Sequence, residues 1–352
     1  MPPDLFLGRQ YNPPMRKTAR NWLIRIIVLV ILALLLWWAL RKAPLAEIWT
    51  AIRQLRLWQI AVILALNGIF YIIATLRWWI IIRADNPQVP YFPLLGVRVS
   101  VFGVSYFTLG PQVGGEPLQV LALQRRYGLS YTHATATVLM DKILEFLVDF
   151  LLLAVGLVAI LRAGVLTGNS LQFSGDLVLL AFLVFWPPIH LILLYKRRYP
   201  LSGLVQRIPF IKQNSKPVRF LRAAERLAGR FCQRHPRRLL AAGVCSLLGG
   251  AGMLLDYALM TYFLHIPLPF WKMTAGWMMG WISLVMPLPG GLGAREASQV
   301  FTLGKFGFSA AVALSLTLVM RGRDMLIGGL GLLLAGSGSL RAIRAPASRS
   351  KQ

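Results

Sequence analysis

Asp141, Glu145 and Asp149 stand at i, i+4 and i+8 inside an apolar run, a spacing that sets three carboxyls on one face of a helix. Four more acids, Glu116, Asp256, Glu296 and Asp324, lie within or beside apolar segments. A charged side chain at the centre of a bilayer costs roughly 2.5–3.5 kcal/mol on insertion scales, so such groups must face protein or a wet cavity and find partners. Lys142, three residues before Glu145, is within ion-pair reach. Arg77, Arg295, Arg321 and Arg323 on other segments are available to balance the stripe, and Arg321 is expected to pair locally with Asp324, three residues on. Two readings are open: clamps that hold helices together, or a polar pathway for a lipid headgroup or a proton.

Other chemistries find no support. Ser and His residues never approach a nucleophile–base spacing, and the four histidines, His133, His190, His235 and His265, are scattered. Cys232 and Cys245 form neither a CxxC pair nor a disulfide framework. PGGLGARE (Pro289 to Glu296) lacks the GK[ST] ending of a phosphate-binding loop and follows no strand. No catalytic residue, metal or cofactor is therefore expected. The backbone amides that open the helix near Ala294 could meet a phosphate, helped by Arg295.

The 352 residues are 57% hydrophobic and only 14% charged, too few charges to cover a water-facing surface. Thirty-eight Lys+Arg oppose 12 Asp+Glu, a net charge of +26. Most of the basic residues lie between apolar runs, the arrangement of cytoplasmic loops rather than of a nucleic-acid-binding face. The class is an all-α polytopic membrane bundle, and nucleic acid is not an expected partner.

A basic N-terminus (1–21) precedes a first transmembrane half over 22–195, with spans near 22–40, 58–82, 94–110, 134–160 and 177–195. The 94–110 segment is rich in Ser and Gly, which permit close helix packing. Pro187-Pro188 should kink or break the fifth span. Residues 196–238 form a linker with 13 Lys/Arg and a single acid, Glu225. Within it Phe220, Ala224, Leu227 and Phe231 recur at helical spacing opposite Arg219, Arg222, Arg226 and Arg230, which suits a helix on an anionic membrane surface or a solvated loop. The second half (239–335) has spans near 239–264, 271–288 and 309–335, followed by a basic tail, 336–352.

An internal repeat links the halves. Glu116-Pro-Leu-Gln-Val-Leu-Ala-Leu123 matches Glu296-Ala-Ser-Gln-Val-Phe-Thr-Leu303 at a distance of 180 residues. Each follows a Pro/Gly-rich motif, within 110–130 and 287–309, and precedes a Gly-x-Ser turn and an apolar helix. Gly/Pro-interrupted segments at matching positions are the best sequence pointer to a transport site between repeats. Gly114, Gly115, Gly290, Gly291 and Gly293 are the candidate backbone hinges. About eight spans are expected plus the two motifs, either crossing as short broken helices or entering as re-entrant hairpins. The crossing version makes the repeats inverted and places the linker and both termini in the cytoplasm.

These motifs resemble the lysylphosphatidylglycerol synthase transmembrane-region family, also called flippase-like domain proteins. The first signature is read by Gly114-Gly115-Glu116, Gly128-Leu129, and Asp141, Lys142 and Glu145, where Asp and Lys keep the charge signs of the family's Glu-Arg. The second, Pro287 to Ala297 followed by Met320-Arg321, is the more specific, and Arg77-Trp78 is similar to the family's Arg-Trp at the end of the second span. The resemblance implies a multi-pass inner-membrane protein that moves a lipid between leaflets, in the best-known branch an aminoacylated phosphatidylglycerol. It also implies a stand-alone member without the aminoacyl-transferase domain, hence no enzyme. The expected pathway residues are Arg77, Glu116, Asp141, Lys142, Glu145, Arg295, Glu296 and Arg321. The expected partners are membrane lipids, an anionic phospholipid or a lipid-linked substrate, and a membrane enzyme is a further candidate.

Overall fold

The computed structural model describes residues 50, 53, 55–107, 115–165, 173–207, 215–284 and 291–335. The span expected at 22–40, the tail 336–352, and the hinges Gly114 and Gly290 lie outside the described residues. Within them the chain is helical and without strands. The first half contains α1 (Leu57–Ile82), α2 (Tyr91–Phe107), α3 (Glu116–Tyr127) and α4 (Tyr131–Arg162). Helices α5 (Phe173–Tyr195), α6 (Pro200–Gln206) and α7 (Lys216–Arg234) follow. The second half contains α8 (Pro236–Phe263), α9 (Phe270–Ser283), α10 (Ala294–Lys305) and α11 (Ala310–Leu334).

The repeat covers four helices in each half. They begin at 57, 91, 116 and 131, and again at 236, 270, 294 and 310, so every counterpart follows by 178 or 179 residues. The punctuation repeats as well. Gly128 ends α3 in the left-handed region, at φ 68°, and Gly307 follows α10 at φ 92°, a conformation that glycine adopts without steric cost. Two residues on, Ser130 caps α4 by accepting from the His133 amide at 3.3 Å. Ser309 caps α11 by accepting from the Val312 amide at 3.4 Å.

The first helices of the two repeats run in opposite senses. Trp58 and Phe263 meet edge to face with ring centres 5.3 Å apart, and Arg77 near the other end of α1 donates to Ser246 Oγ at 3.1 Å. Helices α1 and α8, which are repeat counterparts, are thus antiparallel. The halves also exchange partners: α2 packs against α11, and α9 against α4. At the first crossing a Cβ on Gly103 would lie 2.5 Å from the Gly328 carbonyl oxygen, and one on Gly331 would lie 2.2 Å from that of Val99. Only glycine permits these backbones to approach so closely.

Polarity is arranged for a bilayer. Leu240, Val244, Leu247 and Leu255 on α8, and Leu326, Leu330 and Leu333 on α11, are exposed. Asp141, Arg321 and Arg77 are buried, at 0%, 2% and 5% exposure. Among the described residues three helices, α1, α4 and α8, are long and apolar enough to cross a membrane. Helix α5 runs unbroken through Pro187 and Pro188, so the break expected there does not occur. The carbonyls of Leu183 and Val184 have no proline N–H to accept from.

Helix α7 answers the question left open for the linker. Its apolar side is packed against α4, α5 and α6, with Val218, Ala224, Ala228, Phe231 and Cys232 buried and Phe220 against Tyr131 at 5.4 Å. Arg219, Arg226 and Arg230 stay exposed. The apolar stripe therefore covers protein rather than lipid. Glu225, the single acid of the linker, is fully buried and accepts from the amides of Leu201 and Ser202 at 2.8 and 2.9 Å.

Candidate functional site

In the first half, α1, α2 and α4 bring two arginines to the acidic stripe. Arg77 Nε lies 2.7 Å from Asp141 and its Nη2 lies 2.6 Å from Glu145. Arg98 reaches the same two carboxylates at 2.6 and 3.3 Å. Lys142 Nζ lies 2.8 Å from Glu145 and 3.3 Å from Glu116 at the start of α3. Three bases thus meet three acids. Asp149, the last member of the stripe, is buried at 8% exposure and lies beyond this cluster.

The balance expected from Arg295, Arg321 and Arg323 is not what the stripe receives: Arg77, Arg98 and Lys142 supply it. Arg98 went unnoticed in the sequence, although it is the only charged residue between Tyr91 and Phe107. The argument that singles out Arg77, a base that an apolar helix must pair, applies to it equally.

The second half builds its own cluster of three bases and three acids from α8, α10 and α11. Arg295 Nη1 lies 2.8 Å from Asp324. Arg323 Nη2 lies 2.6 Å from the other oxygen of Asp324, and its Nη1 pairs with Asp256 on α8. The side-chain amide of Asn67 on α1 lies 3.1 Å from Arg323 Nη1, where its oxygen, turned toward the guanidinium, would accept. Arg321 forks onto Glu296, with Nη2 2.8 Å from Oε2, and donates to the Gly291 carbonyl at 3.2 Å. The local pair expected between Arg321 and Asp324 is replaced by these contacts. A three-residue offset on one helix offered a partner, but Glu296 on α10 receives both arms of the guanidinium.

Glu296 Oε2 also accepts from the Gly293 amide at 2.8 Å. This carboxylate occupies the helix start at which a phosphate was expected, while Arg295 turns to Asp324. Gly291 and Gly293 adopt φ 64° and 81°, so the turn bends only because these positions lack a side chain.

Both clusters face one cavity of about 230 Å³. From the first half Arg98, Glu116, Lys142 and Glu145 line it, and from the second Asp256, Arg295, Arg323 and Asp324. Gly115 belongs to the lining too, as do aromatic walls at Phe70, Tyr71, Phe102, Trp277 and Trp281. Of the expected pathway residues, Glu116, Lys142, Glu145 and Arg295 line the cavity. Arg77 and Asp141 are bonded to its lining residues, and Glu296 and Arg321 tie down the second glycine turn. Sequence reasoning assigned no pathway role to Arg98, Asp256, Arg323 or Asp324. Asp256 and Asp324 already stood out as acids in apolar segments, but nothing in the sequence placed them beside one another.

Four polar atoms on residues of the lining are buried and have no hydrogen-bond partner among the described residues: Ser105 Oγ, Gln119 Oε1, Asp256 Oδ1 and Arg295 Nε. Gln299, the repeat counterpart of Gln119, is fully engaged. Its oxygen accepts from the Tyr257 hydroxyl at 2.8 Å, and its nitrogen donates to the Gly276 carbonyl at 2.8 Å.

The model of the lysylphosphatidylglycerol synthase TM region matches residues 23–331, nearly the whole chain. The chain belongs to this family. It is also similar to a protein of Pyrococcus horikoshii named as a UPF0104 membrane protein, with 25% identity over 325 residues that cover 86% of this chain and 92% of the relative. No solved structure matches it. Membership and the apolar helices together make this a helical membrane protein of the lysylphosphatidylglycerol synthase TM-region family, and no catalytic domain is shown for it.

Proposed function

We propose that the protein translocates a lipid or lipid-linked molecule between leaflets, with the headgroup passing through the cavity between the two halves. One observation carries this reading: eight charged side chains, four of each sign, line a single cavity at the meeting of two repeats whose first helices run in opposite senses. Simple structural clamps would be served by closed, dry ion pairs. Instead Glu116 keeps 34% of its side chain exposed while paired with Lys142, so charged groups stay available to a visitor. Aromatic walls suit the glycerol and upper acyl region of a lipid, and the ion pairs offer a polar route that the bilayer interior lacks.

In this reading the protein is not an enzyme, and it sits in the inner membrane. The linker 196–238 and both termini are cytoplasmic, as the excess of positive charge in the linker favours. The test is leaflet exchange in reconstituted vesicles, followed by dithionite quenching of acyl-labelled phospholipids. Exchange should accelerate with protein and fall when Lys142 and Glu145 are both replaced by neutral isosteres. Exchange no faster than in protein-free vesicles overturns the proposal.

A further inference from the structure

We infer that the outer face of α7 is a docking surface for anionic phospholipid headgroups, in the leaflet where α1 ends and α4 and α8 begin. The surface is separate from the cavity, which no residue of α7 lines, and it does not depend on what the cavity carries.

Five arginines make the face. Arg219, Arg222, Arg226, Arg230 and Arg234 follow one another at steps of three or four residues, which sets them within an arc of about 120° over roughly 22 Å of helix. Arg222 is half-buried and the other four are exposed. None of the five pairs with a carboxylate among the described residues. Glu225, the acid of α7, is turned away and buried on the amides of Leu201 and Ser202. Asp85, just past the end of α1, faces His133 and His235 at 3.8 and 4.0 Å. Arg197 donates to Gln233 at 3.3 Å, so the exposed turn Lys196-Arg197-Arg198 extends the stripe. The remaining chain does not supply the missing anions. Residues 1–49 carry Asp4 and Glu47 against seven bases, and 336–352 carry four bases and no acid.

The level of the helix decides which anion it meets. Its buried Ala228, Phe231 and Cys232 share a core with Ile81 near the end of α1, Leu194 near the end of α5 and Ala242 near the start of α8. A Cβ on Gly229 would lie 2.7 Å from the Leu194 carbonyl oxygen. Each end of α7 lies beside an exposed tyrosine: Phe220 meets the ring of Tyr131 at 5.4 Å, and Gln233 donates to the Tyr195 carbonyl. Tyrosine marks the boundary between membrane and water, so the helix runs along the headgroup layer rather than out into solvent. Phosphates are what that layer offers, and the planar guanidinium takes them through two parallel N–H bonds. Phosphatidylcholine brings a cation with its phosphate, which unpaired arginines repel. A headgroup of net negative charge brings none.

The test reconstitutes the full-length protein in nanodiscs of equal parts phosphatidylglycerol and phosphatidylcholine, and counts the lipids that stay bound by native mass spectrometry. Each basic residue near an anionic surface adds roughly fivefold, so phosphatidylglycerol should be retained at least about tenfold over phosphatidylcholine at low salt. Arg219→Gln, Arg226→Gln and Arg230→Gln combined should bring the ratio below about twofold. Arg162→Gln, Lys272→Gln and Lys305→Gln combined should leave it unchanged. These three bases lie at the other ends of the helices, with Arg162 over Trp271 at 5.0 Å and Lys272 over Phe306 at 5.3 Å. If the first triple variant does not fold, Arg226→Gln alone, at a side chain bonded to nothing described, should lower the ratio at least about twofold. Equal retention of the two lipids by the unmodified protein overturns the inference, as does full preference kept without the three arginines. Heparin should bind weakly while phosphatidylglycerol is present. Heparin held there as tightly as in discs of phosphatidylcholine alone, and lost with the same arginines, would give the face to a soluble acidic partner and overturn lipid docking.

Discussion

Glu116 and Glu296, 180 positions apart in the same ExxQVxxL motif, hold their charges in opposite ways. Glu116 leans on Lys142 at 3.3 Å with a third of its side chain exposed. Glu296 is closed between the fork of Arg321 and the Gly293 amide, its side chain 12% exposed. One glutamate stands at the cavity wall, and its counterpart fastens a turn.

Replacing the two should separate stability from transport. Glu296→Ala strips a buried arginine of its carboxylate and frees the glycine turn, so it should cost about 3–5 kcal/mol. Glu116→Gln leaves Lys142 its bond to Glu145 and should cost about 1 kcal/mol or less. Denaturant unfolding in detergent measures both. The second variant should alter leaflet exchange while its unfolding midpoint stays near that of the parent.

The α2–α11 crossing predicts a sharp positional rule for glycine. A methyl at Gly103 or Gly331 meets backbone atoms at 2.5 or 2.2 Å, and backbone cannot swing aside as a side chain can. Gly103→Ala and Gly331→Ala should each cost about 1–3 kcal/mol by overpacking. A methyl at Gly322 or Gly243 meets nothing within 4 Å, so alanine at either position should leave the unfolding midpoint unchanged or slightly raised.

The helices themselves were legible because apolar runs mark them, closely at 58–82 and 309–335, found as Leu57–Ile82 and Ala310–Leu334, and less so at 94–110 and 271–288, found as Tyr91–Phe107 and Phe270–Ser283. The repeat was legible through ExxQVxxL and its Gly-x-Ser punctuation. The pairing of charges was not. Spacing along one helix favours Arg321 with Asp324, but the tertiary fold decides which charges meet, and it sets Arg98 of α2 against Asp141 of α4 and Arg321 of α11 against Glu296 of α10. Hydrophobic periodicity records that a side of a helix is buried, not which neighbour buries it. For the same reason the apolar stripe of α7 was ambiguous, since lipid and the flank of α4 make the same demand on it.

Cys232 should be unreactive while the protein is folded. It sits on α7, outside the spans, at 2% exposure against Met140, and burial pushes its thiol up to about 11. The thiolate is the reacting species, and below that value the group is almost wholly protonated. In a Cys245→Ala background, maleimide labelling at pH 7.5 should run roughly a hundredfold slower than at a free cysteine. The rate should climb as pH rises toward about 11, and should reach that of a free thiol at once on denaturation. Rapid labelling at neutral pH would mean that α7 lifts away from α4.

The bond between Arg323 and Asp256 is the tie that joins α11 to α8 across the cavity wall, and a double-mutant cycle can weigh it. Each single change, Arg323→Gln or Asp256→Asn, leaves a buried charge short of a partner. In the double variant Asp256 is neutral and Asp324 keeps Arg295, so it should lose less than the sum of the two, with a coupling of about 0.5–3 kcal/mol. Arg295 and Asp324, 2.8 Å apart, should couple on the same scale. The cycle between Arg321 and Asp324 should return a smaller value than either, because Arg321 is spent on Glu296 and Gly291. If that third cycle instead gives the largest coupling, the local i to i+3 pair governs the second half, and Arg323 is released to face the cavity alone.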